Sequence, residues 1–96
     1  MSKGLPPGLI AYRRTPVFTE TTLPAGLRRR HATKPGIWGR IVVMEGQLLF
    51  RRLEPFFETT LDSASPAVVA PEEPHEVEPI GEVRFFVEFH AAPKPD

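Results

Sequence analysis

His31 and His75 are the residues of this chain best suited to hold a ligand. His31 lies in Arg29-Arg30-His31-Ala32-Thr33-Lys34-Pro35-Gly36 and His75 in Pro71-Glu72-Glu73-Pro74-His75, each where a β-prone run meets a turn. Neutral imidazole is the commonest protein ligand for metals. If the two strand ends converge, both rings face one small polar pocket. Two histidines, one carboxylate and water suit zinc, nickel or iron(II). Glu72 can swing in from the bend before His75, and Glu88 is the alternative if its strand face turns inward. Imidazoles that only hydrogen-bond at strand ends are the competing reading of the same residues. Arg29 or Arg40 at the pocket mouth, with Trp38 beside them, can engage an oxyanion bidentately. The plainer role for such arginines is solvation or pairing with nearby glutamates. Glu72, Glu73, Glu76 and Glu78 read as a solvated acidic segment, and His90, near the chain end, reads as solvent-exposed.

Other chemistries find little support. There is no cysteine, which excludes disulfides, thiolate metal sites and cysteine nucleophiles. The serines, Ser2, Ser63 and Ser65, fall in expected loops or the N-terminal arm, without a nucleophile elbow. Twelve basic and twelve acidic residues cancel, so charge gives no argument for a nucleic-acid or membrane partner. No apolar run approaches the roughly 20 residues that span a bilayer. Met1-Ser2-Lys3-Gly4-Leu5-Pro6-Pro7-Gly8 lacks the apolar segment of a signal peptide. A cytoplasmic location is the expectation.

The elements that must position the histidines read as β throughout. Ninety-six residues make one domain with a thin core, which pairing with a second copy would help. Twelve prolines and seven glycines leave little room for helices. Residues 1–8 read as a loose arm, 9–93 as the domain and 94–96 as a tail. Expected strands are Leu9–Arg13, Val17–Thr22, Leu27–His31, Ile37–Met44, Gln47–Leu53, Phe56–Leu61, Pro66–Ala70 and Glu82–His90. Glu45-Gly46 reads as a hairpin turn that sends Gln47–Leu53 back along Ile37–Met44. Val83, Phe85, Val87 and Phe89 alternate strictly and are the firmest core expectation. Seven to nine short strands at spacings of roughly 8–12 residues are the pattern of a sandwich or barrel.

Several pieces resemble a known family in order and spacing. They are Arg14-Thr15-Pro16-Val17-Phe18, Leu23-Pro24-Ala25-Gly26-Leu27, Arg30-His31, Lys34-Pro35-Gly36-Ile37-Trp38, Val43-Met44-Glu45-Gly46-Gln47-Leu48, Ala70-Pro71-Glu72-Glu73-Pro74-His75 and Phe86-Val87-Glu88-Phe89. Together they are similar to the TehB/YeaR-like domain family across roughly residues 12–93. That resemblance implies a cupin-like antiparallel β-sandwich closing into a jelly-roll barrel. It also implies a setting in tellurite resistance or nitrogen-oxide stress. Methyl transfer, which belongs to a fused domain in the TehB type, is not expected here. Against cupins proper, Thr33 stands where a second histidine belongs and Gly39 where the glutamate belongs, so a full cupin metal site is not expected. The combined expectation is a homodimeric, stress-associated domain that binds a divalent metal (zinc, nickel or iron), a small molecule or an oxyanion in a barrel-mouth pocket. A metal-dependent enzyme and a metal-free protein-interaction module are the alternatives.

Overall fold

The computed structural model describes residues 4–93. Six antiparallel strands form one sheet. In chain order they are β1 (Ile10–Arg14), β2 (Phe18–Thr19), β3 (Trp38–Leu53), β4 (Phe56–Leu61), β5 (Ala67–Val69) and β6 (His75–Ala91). The long strands β3 and β6 pair along almost their whole length, from Trp38 opposite His90 to Arg52 opposite His75. On the other side of β6 lie β1 and β2; on the other side of β3 lie β4 and β5. Of the arm expected over residues 1–8, the first three residues lie outside the described residues, as does the tail 94–96. Leu5 and Pro6 are half-buried.

The hairpin expected at Glu45-Gly46 does not form. The chain continues through it as β3, and the turn falls at Glu54-Pro55, which joins Leu53 to its partner Phe56. What Glu45-Gly46 provides is a bend. Val43 pairs with Phe85 and Glu45 with Arg84, leaving Met44 extra on β3. Gly46 pairs with Val83 and Gln47 with Ile80, leaving Gly81 and Glu82 extra on β6. Bulges that face each other kink both strands together. Gly46 has φ +79°, and a Cβ there would lie 2.1 Å from the Glu82 carbonyl oxygen. Only glycine fits that approach.

The bend folds the sheet into a sandwich. Ile41 and Val43 before it and Leu48, Phe50 and Val77 beyond it join one buried cluster with Val83 and Phe85. Phe50 and Phe85 are sealed from solvent, at 1% and 0% exposure. Each contributes about 1.5–3 kcal/mol through burial of apolar surface. Val87 packs against this cluster. Val83 and Phe85 are thus core as expected and Val87 packs against them, whereas Phe89 lies outside the cluster and lines a cavity instead.

The strand expected at Leu27–His31 is also absent. Ala25–Arg28 forms a 3₁₀ turn instead, in which the Leu27 amide donates to the Pro24 carbonyl at 3.0 Å. Pro24 and Gly26 favour a turn here over the weak alternation that follows. The backbone is extended again at Arg29, and the next β contact is the isolated bridge at His31.

Candidate functional site

His31 and His75 come together as neighbours across an isolated antiparallel bridge. The His31 amide donates to the His75 carbonyl at 2.7 Å, and the His75 amide donates to the His31 carbonyl at 2.8 Å. Residues paired directly in this way send their side chains to the same face. The two rings accordingly meet edge to face, with centroids 5.4 Å apart and planes at 86°. The Phe50 ring lies 6.0 Å from that of His75.

The bend before His75 is tied down by Arg52, which the sequence does not single out, and by Glu73, expected to be solvated. The Glu73 carboxylate accepts from the Ala70 amide at 2.9 Å and from the Arg52 guanidinium at 2.8 Å. Arg52 also donates to the Val68 carbonyl at 2.8 Å. Glu73 is therefore part of a clamp between β3, β5 and the bend, not a solvated loop residue. Its carbonyl oxygen lies 2.9 Å from His75 Nδ1. A carbonyl only accepts, so Nδ1 carries the proton and Nε2 keeps its lone pair.

Burial favours the neutral form of both imidazoles. Burial lowers the pKa of His31. Burial is also the main cause for His75, helped by the neighbouring His31 and the Arg52 charge; the bond to Glu73 opposes it in part. Neutral rings are the form that can donate a lone pair.

The pair opens on a cavity of about 300 Å³ between the layers, walled mainly by apolar side chains such as Phe18, Leu27, Ile41, Val69, Val87 and Phe89. Thr15 and Thr33 also line it. Their hydroxyls are already engaged: Thr15 Oγ1 accepts from the Val87 amide and Thr33 Oγ1 donates to the Ile37 carbonyl. His75 Nε2 and the ring nitrogens of His31 have no partner among the described residues, and none is sealed from solvent. They are the polar side-chain atoms left to meet a ligand. A shallower groove of about 250 Å³ shares His31, Thr33 and Phe89 with the cavity and adds Tyr12, Arg13 and Lys34.

The other expected site residues are placed elsewhere. Glu72 is exposed, at φ +61°, with its amide donating to the Thr33 carbonyl at 3.2 Å. Glu88 alternates with Val87 and Phe89, so their inward turn sends it to the outer face. There it accepts from Arg14 at 3.5 Å and pairs with His90 Nε2 at 2.8 Å. These contacts lower its pKa, the His90 bond most of all. Among the described residues no three His, Asp or Glu side chains are grouped to hold a metal. Trp38 and Arg40 alternate with the buried Gly39 and Ile41 and share the outer face with Glu88 and His90. Arg29 is exposed just beyond the 3₁₀ turn. The cations in a groove with His31 are Arg13 and Lys34, not Arg29 or Arg40. His90 is 9% exposed, not solvated: on β6 it lies between Trp38 of β3 and Ala11 of β1, and its ring pairs with the Glu88 carboxylate.

The class that fold and site define is a small all-β sandwich carrying a cross-strand histidine pair beside an apolar cavity. Comparison with known proteins places it more closely. Residues 13–87 match the TehB-like domain model. The chain is 30% identical to the uncharacterized protein YeaR of Escherichia coli (strain K12) over 94% of its own length and 84% of that protein's. An E. coli (strain K12) crystal structure superposes with a TM-score of 0.88 at 28% identity, covering 96% of this chain and 99% of that one. The probable S-adenosyl-L-methionine-dependent methyltransferase TehB of Haemophilus influenzae (strain ATCC 51907 / DSM 11121 / KW20 / Rd) is 42% identical over 47% of this chain but only 16% of its own. The crystal structure of TehB from Haemophilus influenzae superposes with a TM-score of 0.82 at 30% identity, covering 90% of this chain and 32% of that one. This chain therefore spans only a minor part of TehB. It belongs to the TehB-like domain family.

Proposed function

We propose that this chain is a binding domain in which His31 and His75 hold a divalent metal at the edge of the apolar cavity, leaving coordination positions open to a small ligand. One observation carries this reading: two imidazoles meet edge to face across a backbone bridge, with the His75 tautomer fixed through Nδ1. A metal-bound histidine usually donates its other ring N–H to a carbonyl or carboxylate, as His75 does to Glu73. Two imidazoles on one tetrahedral ion, at about 2.0–2.1 Å per nitrogen, have ring centres roughly 5 Å apart. The observed 5.4 Å fits that arrangement. With Glu72 exposed and Glu88 on the outer face, water or the ligand would supply the remaining donors. A bound divalent ion would act as a Lewis acid toward an anionic ligand. The domain's setting would be cytoplasmic, in a response to tellurite or a related oxyanion.

Elemental analysis of protein purified without a histidine tag tests this. Wild type should carry about one equivalent of zinc, nickel or iron per chain, and His31→Ala/His75→Ala should carry none. Equal metal in both refutes the site.

A second reading, a dimeric interaction module, draws on Phe56 and Phe57. They are 65% and 56% exposed on β4, an edge of the sheet. An uncovered apolar edge strand invites pairing with another chain. Sedimentation of wild type against Phe56→Ser/Phe57→Ser separates the two readings. A dimer that the variant dissolves without loss of metal would make pairing an additional property, not a substitute for the histidine site.

A further inference from the structure

We infer that the groove beside His31 is an anion subsite, and that the ligand of the cavity is an organic monoanion with a short apolar tail. This deepens the ligand half of the proposed function and rests on the cavity being a binding site. The first observation is a division of polarity across one shared wall. His31, Thr33 and Phe89 line both hollows; Leu27, Val69 and Val87 are among the other residues of the cavity, and Tyr12, Arg13 and Lys34 among those of the groove. A molecule apolar at one end and negative at the other matches that sequence of surfaces.

The second observation is how Arg13 reaches the groove. In β1, Ala11 pairs with His90 and Arg13 with Phe89, so Tyr12 is an extra residue in the ladder. In a regular strand, neighbouring residues point to opposite faces. The irregularity brings Tyr12 and Arg13 into the same groove, the re-aiming that bulges commonly produce beside binding sites. Arg14, next in line, is engaged on the outer face with Glu88, and its guanidinium lies 4.2 Å from the Phe86 ring centre. Arg13 and Lys34, like Arg28, Arg29 and Arg40, make no ion pair among the described residues, and of these five only Arg13 and Lys34 line the groove. Among the described residues no acidic side chain lines the groove with them. Two cations that no described carboxylate pairs, and a phenol at the rim, favour a carboxylate ligand, with Arg13 able to bind it through two parallel N–H donors.

Calorimetric titration of chelator-treated protein tests the inference, so that metal binding is read separately. The probes are hexanoate and phenylacetate, with acetate (the charge without the tail) and hexan-1-ol (the tail without the charge). At least one of the tailed anions should bind about tenfold more tightly than acetate and hexan-1-ol, and its affinity should fall as salt rises. Arg13→Gln/Lys34→Gln should weaken it about tenfold while melting at the wild-type temperature. The inference is overturned if hexan-1-ol matches the tailed anions, if acetate does (a free small-oxyanion site), if the double variant binds them unchanged, or if neither tailed anion binds. Should the anions fail while zinc still binds wild type, the subsite alone is lost. If zinc fails while the anions bind, the metal reading alone is lost.

Discussion

Replacing Gly46 with alanine should destabilise the protein far more than the same change at Gly81. Both glycines have positive φ, +79° and +68°. A left-handed conformation costs an alanine about 1–2 kcal/mol. That cost applies at both sites, as does the small gain from a stiffer unfolded chain. The difference lies in what the new methyl group meets. At Gly81 nothing lies within 4 Å; at Gly46 the Cβ falls 2.1 Å from the Glu82 carbonyl oxygen and 3.0 Å from the Val83 Cα. These are backbone atoms of β6, so relief requires parting the two central strands at their bend. Overpacking of that kind adds about 1–3 kcal/mol. Against a total stability of about 5–15 kcal/mol it is a large fraction. For a domain of this size, 1 kcal/mol moves the melting temperature by about 4–8 °C. Gly46→Ala should therefore melt roughly 5–20 °C below Gly81→Ala. Thermal melts followed by far-UV circular dichroism, with Trp38 fluorescence as a second probe, measure this. Equal melting temperatures would mean that Gly46 sits in an open turn and that β3 does not run through it.

Further outcomes follow from the core and the histidines. Phe85→Ala should cost about 3–5 kcal/mol in urea unfolding, because Phe85 is wholly buried and meets the Phe18 ring edge-on at 5.7 Å. A loss under 1 kcal/mol would contradict the packing described. His31 and His75 both have folded pKa values below 6.5. The unfolded chain therefore binds more protons, so stability should be flat above pH 6.5 and fall as the pH drops from there through the lowered values. Each histidine contributes a slope of at most about 1.4 kcal/mol per pH unit. Urea midpoints at pH 7.5 and 5.5 test the sign; higher stability at 5.5 would refute it. Glu73→Gln should loosen the bend, since it weakens a charge-assisted bond to Arg52 worth about 1.5–3 kcal/mol. Faster amide exchange at Ala70 and His75 would report it.

The convergence of the two histidines was legible because each is flanked by turn residues, Pro35-Gly36 on one side and Pro71–Pro74 on the other. The inward face of β6 was legible because strict alternation has one solution. What was not legible depends on register between distant strands. Positive φ at Gly46 serves a hairpin and a bulge equally well, and only the length of the facing strand β6 decides between them. The same holds for Arg52 and Glu73, twenty-one positions apart, which meet because the end of β3 lies beside the bend. Arg40 could not be assigned a face until the inward side of β3 was known, whereas the inward turn of Val87 and Phe89 already sends Glu88 outward. Arg13 reaches its groove only through the extra residue in β1, which no local pattern announces.

The most direct test of the histidine site is long-range ¹H–¹⁵N correlation spectroscopy of the imidazole rings during zinc titration. Before metal, His75 should appear as the neutral tautomer protonated at Nδ1. On adding zinc, one nitrogen of His31 and the Nε2 of His75 should shift together and saturate at one ion per chain, while His90 stays in place. A His75 protonated at Nε2 before metal, or a titration that moves only one of the paired rings, would contradict the shared site.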